Sequence, residues 1–330
     1  MNLNVTGMHA VVVGGDARAA GQVTSLLDGG ATVTVVAPAV TASIDDLAAR
    51  GLIEWTRREP EPTDLEHADL VLRGHATEPS DRILETGSVT LVGGGPGDPG
   101  LVTVAGREAI ESADVIVTDR LAPLAALAWA RADVEIIDVA KIPGGRSTSQ
   151  DDINQLLVEH AKAGRHVVRF KGGDNFVFGR GGEELLACLD AGIEARIVPG
   201  VTSAIAAPAL AGIPVTHRGL TQGFTVVSGH VPPSHPDSTL DYAALARSGS
   251  TIVVLMGVRT LGAICDALIA GGMDPTTPAA VVADGAMPSQ RVVRATVATI
   301  DADATAAGLG APAVTVIGAV ADIPGLGAGA

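Results

Sequence analysis

The chain contains two successive starts of an α/β fold. Residues 8–14, MHAVVVG, form an apolar run that ends in glycine, which predicts a buried strand followed by a turn. The same pattern returns at residues 89–100, VTLVGGGPGDPG. A strand followed by a glycine-rich loop and a helical pattern is typical of parallel sheets, whose strands are connected by helices. The chain is therefore predicted to be α/β, with a restart near Val89.

The first start predicts the order β-α-β-α-β-β, which is the beginning of a doubly wound sheet, but the pattern stops at about residue 86. After the restart, strand and helix patterns alternate to about residue 218, and four further strand patterns follow, among which we expect hairpins. We therefore predict three parts, a truncated Rossmann-like domain and two α/β lobes, at residues 1–87, 88–220 and 221–330.

Polar residues follow the predicted strands of the first lobe. Because ligands bind beyond the carboxyl ends of parallel strands, these residues predict a cleft at one sheet edge. The loop at 93–100 contains Pro96 and Pro99, which remove two backbone donors, so we expect a rigid wall rather than a pyrophosphate cradle. The residues of the predicted cleft are Asp98, Asp119, Arg120, Lys141, Gly172, Gly173, Asp174, Thr202 and Ser203.

Each of these residues also has an ordinary structural interpretation. Asp119 and Arg120 could form a surface ion pair, and Thr202 could be only a helix N-cap. The segment from Gly172 to Asp174 could be only a turn, Met256 could be core, and Lys171 could lie on the surface. The pattern of the residues leaves these alternatives open.

Composition limits the class of protein. A formal net charge of −15 argues against nucleic acid or an anionic membrane as the main partner. Cys188 and Cys265 belong to no CxxC or Cys/His cluster, so no metal site is expected and both read as small buried residues. The sequence has neither a signal-peptide pattern nor an apolar run of about 18 residues, which predicts a soluble, cytoplasmic protein.

Several ordered motifs resemble one enzyme family. The segments VTLVGGGPGDPGLVT, ADVIVTDRL, VVRFKGGDNFVFGRGGEE and VPGVTSAIAAPALAGIPVTHRG lie in order between residues 88 and 320, with SGH and LMGV after them. Together they resemble the uroporphyrinogen-III C-methyltransferases, the methylating half of siroheme synthase. The resemblance implies a tetrapyrrole-methylase fold of two α/β lobes and a homodimer. It also implies methylation of a tetrapyrrole in siroheme or cobalamin biosynthesis.

The resemblance also implies roles for residues. Asp119 takes the position of the family's proton acceptor and Lys141 that of its proton donor. Arg120, Arg146 and Arg180 are expected to receive substrate carboxylates. The residues expected to contact S-adenosylmethionine are Pro96, Gly172, Gly173, Asp174, Val177, Thr202, Ser203, Met256 and Gly285.

The sequence departs from the family at two positions near these residues. Thr118 stands where the family usually has tyrosine, and Asn175 stands where it has proline. A methylase that acts on a later corrin intermediate is the alternative substrate assignment. The match around TDRL and GRGGEE argues against that alternative.

Residues 8–86 resemble the start of the NAD-dependent precorrin-2 dehydrogenase half of siroheme synthase. Asp16 occupies the second glycine of the expected GxGxxA fingerprint, Arg18 follows it, and Glu78 lies nearest an expected aspartate. The family's helical and dimerising segment is absent from the sequence that follows. We therefore expect weak or no binding of NAD. Three hypotheses remain for this domain. It is a relic, or an active dehydrogenase that accompanies the methylase, or a module kept for binding or regulation.

Overall fold

A computed structural model describes residues 5–15, 19, 22–23, 26–27, 29–65, 68–73, 87–139, 149–324 and 326. The chain forms two compact units, Met1–Ile83 and Leu84–Ala330. In the described part of the chain, no helix is long and apolar enough to cross a membrane.

The front unit contains a parallel sheet with the strand order β3-β2-β1-β4. Its centre is β1, whose residues Ala10, Val11 and Val12 are fully buried or nearly so. The helix α1 covers Ala42–Ala49 and places Ile44 in the same core. Strands β1 to β4 cover His9–Val13, Thr32–Val36, Glu54–Thr56 and Leu70–Arg73. This parallel arrangement confirms the Rossmann-like prediction.

The turn after β1 is packed tightly against the neighbouring loop. A Cβ atom at Gly15 would lie 2.0 Å from the backbone oxygen of Ala39. The Thr41 N–H donates to the Gly15 oxygen at 2.8 Å. Gly14 has a φ of +118°, which a side chain would disfavour. The predicted glycines therefore shape this turn, whereas Asp16, Arg18 and Glu78 lie outside the described residues.

The second unit begins with a sheet that we call the middle sheet, in the order β7-β6-β8-β5-β9. All of its described pairings are parallel, as predicted. The central strands β5 and β8 are buried on both faces because helices cover both sides. Strands β5 to β9 cover Ser88–Gly93, Val115–Thr118, Glu135–Asp138, His166–Lys171 and Glu194–Val198.

Capping residues fix the starts of the helices that cover this sheet. Thr103 caps α2 by accepting from the Gly106 N–H at 3.1 Å. Ser149 and Asp152 form a capping box at the start of α3. The segment after Pro123 forms a short 3₁₀-helix, Leu124–Trp129. Helices α2 to α5 cover Val104–Ser112, Gln150–Lys162, Gly181–Asp190 and Ser203–Leu210.

The second sheet of this unit, the C-terminal sheet, has the order β10-β11-β14-β12-β13. Strands β12 and β13 form an antiparallel hairpin, in agreement with the expected hairpins. The last strand, β14, lies antiparallel between β11 and β12, so β10, β11 and β12 all point the same way. Strands β10 to β14 cover Phe224–Ser228, Thr251–Leu255, Pro278–Ala283, Arg291–Thr296 and Ala313–Ile317.

Three described helices pack on the C-terminal sheet. Helix α7 has an apolar periodicity and buries Leu261, Ile264, Cys265 and Leu268. The two short helices α6 and α8 lack a strong apolar stripe, and they are held by packing on this same core. Helices α6 to α8 cover Tyr242–Arg247, Leu261–Ala270 and Ile300–Ala306.

Both cysteines are buried in helices, as predicted. Burial raises the pKa of the Cys188 thiol to about 11 and that of Cys265 to about 12. Because only the thiolate is strongly nucleophilic, both side chains are packing residues.

Candidate active site

The predicted cleft residues lie along one edge of the middle sheet. Pro96 follows β5, Asp119 follows β6, Gly172 follows β8 and Thr202 follows β9. Since these strands are parallel, their carboxyl ends all lie at that edge. The topology therefore brings four of the predicted loops together. The fifth, with Lys141 and Arg146, lies outside the described residues.

Glycines let the four described loops pack backbone against backbone. The Gly95 N–H donates to the Gly173 oxygen at 3.1 Å, and the Gly173 N–H returns a bond to the Gly95 oxygen at 2.6 Å. A Cβ atom at Gly200 would lie 2.2 Å from the Gly173 oxygen. A Cβ atom at Gly172 would lie 2.3 Å from the oxygen of Leu121. The loop after β5 is thus braced against the loop after β8 at the sheet edge.

Asp174 connects two of the loops through its carboxylate. One oxygen accepts from the Phe176 N–H at 2.8 Å, and the other accepts from the Gly200 N–H at 3.1 Å. The first bond closes a turn, as the ordinary interpretation requires, and the second reaches the loop after β9. A carboxylate has about four acceptor positions, so Asp174 retains capacity for a ligand donor.

Asn175, which replaces the family's proline, is a buried side chain that braces the same edge. Its Nδ2 donates to the oxygens of Leu91 and Val198, each at 3.1 Å. These bonds join β5 to β9 near their carboxyl ends. A proline could not supply them, so this departure replaces a rigid ring with a hydrogen-bonded tie.

Thr202 and Ser203 lie at the start of α5. Thr202 is a true N-cap, because its Oγ1 accepts from the Ala204 N–H at 3.3 Å. Ser203 faces the loop after β8, since a Cβ atom at Gly173 would lie 3.6 Å from its Oγ. Gly173 has a φ of +67°, which favours glycine at this position. The predicted residues Gly173 and Ser203 are therefore neighbours.

Loops of the C-terminal sheet contribute two further predicted residues, Met256 and Gly285. Met256 directly follows β11, and Gly285 lies just after β12, at the same edge of that sheet. A Cβ atom at Gly285 would lie 2.4 Å from the Cβ of Ala207 in α5. A Cβ atom at Gly97 would lie 3.1 Å from Met287. The loop after β12 therefore packs on the start of the cleft, near Pro96.

Backbone strain is concentrated in loops at these edges. Met256 has a φ of +58° and is 48% exposed, so the interpretation of this residue as core filler is wrong. A non-glycine residue in this conformation costs of order 1–3 kcal/mol, and such strain is commonly held at functional sites. Among the described residues, those with positive φ other than glycine are Phe178, Arg180, Met256, Asp284 and Ala286.

Asp119 does not pair with its neighbour Arg120. One carboxylate oxygen accepts from the Leu121 N–H at 3.0 Å, and the other accepts from Nη2 of Arg169 at 3.1 Å. The surface ion pair between Asp119 and Arg120 is therefore wrong. The Asp119 side chain is 27% exposed, whereas that of Arg169 is 4% exposed. Asp119 is thus a fixed carboxylate with one face open to the cleft edge.

Sequence reasoning missed a buried charge cluster behind Asp119, formed by Arg169, Lys171 and Glu184. The Glu184 carboxylate accepts from Nε of Arg169 at 3.0 Å and from Nζ of Lys171 at 2.9 Å. Lys171 is buried, so its placement on the surface is wrong. Burial lowers the pKa of Lys171, and the Glu184 carboxylate opposes that shift. The signal was present in VVRFK, where Arg169 and Lys171 alternate with apolar residues in a central strand.

The predicted substrate-binding arginines have different surroundings. Arg180 is exposed and forms a forked pair with Glu183, with bonds of 2.8 and 2.6 Å. That pair raises the pKa of Arg180 and lowers the pKa of Glu183. Arg120 is exposed beside Asp119.

Within the described residues, no group of three His, Cys, Asp or Glu side chains is placed to hold a metal ion.

Comparison with known proteins assigns the class. The family model of the Tetrapyrrole (Corrin/Porphyrin) Methylases matches residues 88–301, and the chain belongs to that family. A model described as Putative NAD(P)-binding matches residues 1–82.

Within the family, the chain is similar to uroporphyrinogen III methyltransferases and siroheme synthases. The chain is 49% identical over 234 residues to an S-adenosyl-L-methionine-dependent uroporphyrinogen III methyltransferase of Methanosarcina barkeri, covering 71% of this chain and 92% of that protein. It is 45% identical over 239 residues to Siroheme synthase 1 of Klebsiella pneumoniae, covering 72% of this chain and 50% of that protein. The chain thus spans about half the length of that siroheme synthase.

Solved structures agree with the fold. The uroporphyrin-III C-methyl transferase of Thermus thermophilus, complexed with S-adenyl homocysteine, has a TM-score of 0.60 at 39% identity. The match covers 71% of this chain and 98% of that one. A cobalt precorrin-4 methyltransferase has a TM-score of 0.65 at 26% identity, covering 72% of this chain and 96% of that one. The tetrapyrrole-methylase fold predicted from the motifs is confirmed.

Proposed function

We propose that the chain catalyses the S-adenosylmethionine-dependent C-methylation of uroporphyrinogen III, with two methyl transfers that give precorrin-2. The observation that carries the proposal is the convergence of Asp119, Asp174 and Ser203 at one edge of the middle sheet. The relatives named for this reaction support it. Their identities of 49% and 39% exceed the 26% of the precorrin-4 enzyme, which favours uroporphyrinogen III over a later corrin intermediate.

The described residues fit S-adenosylmethionine. Gly173 leaves a space without a side chain beside Ser203, and Asp174 retains acceptor positions for hydroxyl or ammonium donors. The other residues proposed to contact the cofactor supply apolar surface or close backbone approach, which suits an adenine ring. They are Pro96, Val177, Met256, Gly172, Thr202 and Gly285. When bound, the cofactor supplies a methyl group that a pyrrole carbon attacks, and S-adenosylhomocysteine leaves with the electrons of the broken carbon–sulfur bond.

The chain's own residues serve positioning and proton transfer. A pyrrole carbon that gains a methyl group leaves the macrocycle with a positive charge, which the loss of a proton neutralises. Asp119 is the proposed proton acceptor, because its carboxylate is fixed and partly exposed at the sheet edge. Lys141 is the proposed proton donor. Arg120, Arg146 and Arg180 are proposed to bind carboxylates of the substrate.

The test is to incubate the protein with S-adenosylmethionine and freshly reduced uroporphyrinogen III and to identify the product by mass. A dimethylated product supports the proposal. A parallel reaction with a more highly methylated corrin precursor distinguishes the alternative substrate. Methylation of that precursor alone would overturn the assignment of uroporphyrinogen III.

For the front unit we propose weak or no binding of NAD. The match to an NAD(P)-binding family supports a nucleotide-binding ancestry of the front unit. The similarity to siroheme synthase leaves dehydrogenase activity of this unit as the alternative. Asp16 argues against binding of NAD, because a carboxylate at this position of the fingerprint repels a pyrophosphate. Titration of the full chain with NAD, and a search for NADH formation from precorrin-2, separate a relic or regulatory domain from an active dehydrogenase.

We further propose a cytoplasmic homodimer assembled through its two methylase lobes, residues 88–220 and 221–330, with residues 1–87 as the front domain. The resemblance to the methylase family supports this assembly. Light scattering at micromolar concentration tests it, and a monomeric mass would contradict it.

A further inference from the structure

The guanidinium of Arg169 is bonded on every side in the buried cluster behind Asp119. Its Nε donates to Glu184 at 3.0 Å, and its Nη2 donates to Asp119 at 3.1 Å. Its Nη1 donates to the backbone oxygens of Val117 and Phe170, each at 3.3 Å. One planar group therefore joins the end of β6, the end of β8 and helix α4. Its position is fixed by four acceptors.

The buried charges around Arg169 require a balance of positive and negative groups. Arg169, Lys171 and Glu184 are each at least 93% buried, with side-chain exposures of 4%, 7% and 0%. A buried charge is costly unless it is paired and hydrogen-bonded. Glu184 alone faces two cations, so the carboxylate of Asp119 completes the balance. Gln150 is a neutral contact of Glu184 at 3.3 Å.

Asp119 is the partner of this cluster that is partly exposed at the cleft edge. Its second oxygen is held by the Leu121 N–H, and the Leu121 backbone is itself packed against Gly172. Arg169 is opposite Val117 in the β6–β8 register, two residues before Asp119, so its side chain reaches forward along the strand. The Arg169 side chain is 4% exposed, and of its four acceptors only the Asp119 carboxylate is proposed to take part in the reaction. We therefore expect Arg169 to act on the reaction through Asp119.

We infer that Arg169 is a positioning residue of the methylation reaction, which holds the Asp119 carboxylate at the cleft edge while Glu184 holds Arg169. The inference rests on the proposed function, in which Asp119 accepts the proton. A guanidinium fork can bind Glu184 and Asp119 at once, whereas a lysine ammonium offers no such planar geometry. Misplacing a reacting group by about 1 Å can cost on the order of 10²-fold in rate.

The test compares Arg169→Lys with the wild type and with Arg107→Lys. Arg107 is an exposed arginine of the same unit, paired with Glu111 at 2.7 Å, and its variant serves as the matched control. We expect Arg169→Lys to lower kcat by about 10²-fold while KM for uroporphyrinogen III and the Kd for S-adenosylmethionine stay within about threefold. The control should retain wild-type values. An unchanged kcat, or an equal loss in kcat and cofactor affinity, would overturn the inference.

A double mutant separates positioning from a general structural role. If Arg169 acts through Asp119, the variant with both Arg169→Lys and Asp119→Ala should be no slower than Asp119→Ala alone, because coupled residues are not additive. Independent multiplication of the two losses would contradict the inference. If Arg169→Lys does not fold, Glu184→Asp is the second variant. It shortens the side chain that binds Arg169 and keeps the negative charge at position 184. That variant should show the same kcat loss, and an unchanged kcat there would also contradict the inference.

The failure of the proposed function gives a different result. If the wild-type chain yields no dimethylated product, the reaction assignment fails, and the crystal structures of the wild type and Arg169→Lys decide the inference alone. A displaced or disordered Asp119 carboxylate in the variant supports positioning by Arg169. An Asp119 carboxylate that superimposes on the wild type overturns it.

Discussion

Replacement of Asp174 by alanine is expected to weaken the binding of S-adenosylmethionine by about tenfold or more. The change removes both bonds of the carboxylate, to the N–H groups of Phe176 and Gly200. The bond to Gly200 joins the loop after β8 to the loop after β9, and these loops carry Gly173 and Ser203. Their separation would open the space that the cofactor is proposed to occupy.

The magnitude follows from the two lost bonds. Hydrogen bonds to a charged group contribute about 1.5–3 kcal/mol each, so two of them set an upper limit of about 3–6 kcal/mol. Asp174 is only partly buried, and water replaces part of the loss, so we expect a decrease of about 1–3 kcal/mol in the free energy of unfolding. The same energy expressed in binding corresponds to about tenfold per 1.4 kcal/mol.

Calorimetry with S-adenosylmethionine and a thermal melt measure the two effects separately. Asp174→Asn keeps one acceptor oxygen and should lie between the wild type and Asp174→Ala. The matched control is Asp274→Ala, because Asp274 also accepts two bonds from Thr276, in a loop at the opposite edge of the C-terminal sheet. The control should lower stability and leave cofactor affinity unchanged. A folded Asp174→Ala protein with wild-type affinity for S-adenosylmethionine would refute the reasoning. Asp174 would then serve only to close a turn.

Three further predictions concern other residues. Asp119→Ala should slow methylation by about 10²–10⁴-fold in steady-state assays while calorimetry shows unchanged cofactor binding, and a rate within threefold of the wild type would remove Asp119 from the mechanism. Gly172→Ala should lower the melting temperature, because its methyl group would lie 2.3 Å from the Leu121 oxygen; an unchanged melting temperature would contradict the packing. Cys188 and Cys265 should resist iodoacetamide at pH 8 in the folded protein, because pKa values of about 11 and about 12 leave little thiolate below those values; mass spectrometry should detect alkylation of both only after denaturation.

The local sequence determined most of the secondary structure and the sheet edge at which the candidate site lies. Apolar runs of four to six residues predicted the strands of the middle sheet, because periodicity depends on near neighbours. The glycine-rich loops at Gly93 and Gly172 marked the sheet edge. Parallel connectivity then placed the following polar residues at that edge, and the ordered motifs identified the methylase family.

The tertiary structure alone decided which charges meet. Asp119 bonds to Arg169, 50 residues away, rather than to the adjacent Arg120, because β8 pairs with β6 and brings the guanidinium beside the strand end. Glu184 reaches the same group from helix α4. The insertion of β14 between β11 and β12 is decided in the same way. These contacts join residues distant in the sequence, and strand order and helix packing, which no local pattern encodes, determine them.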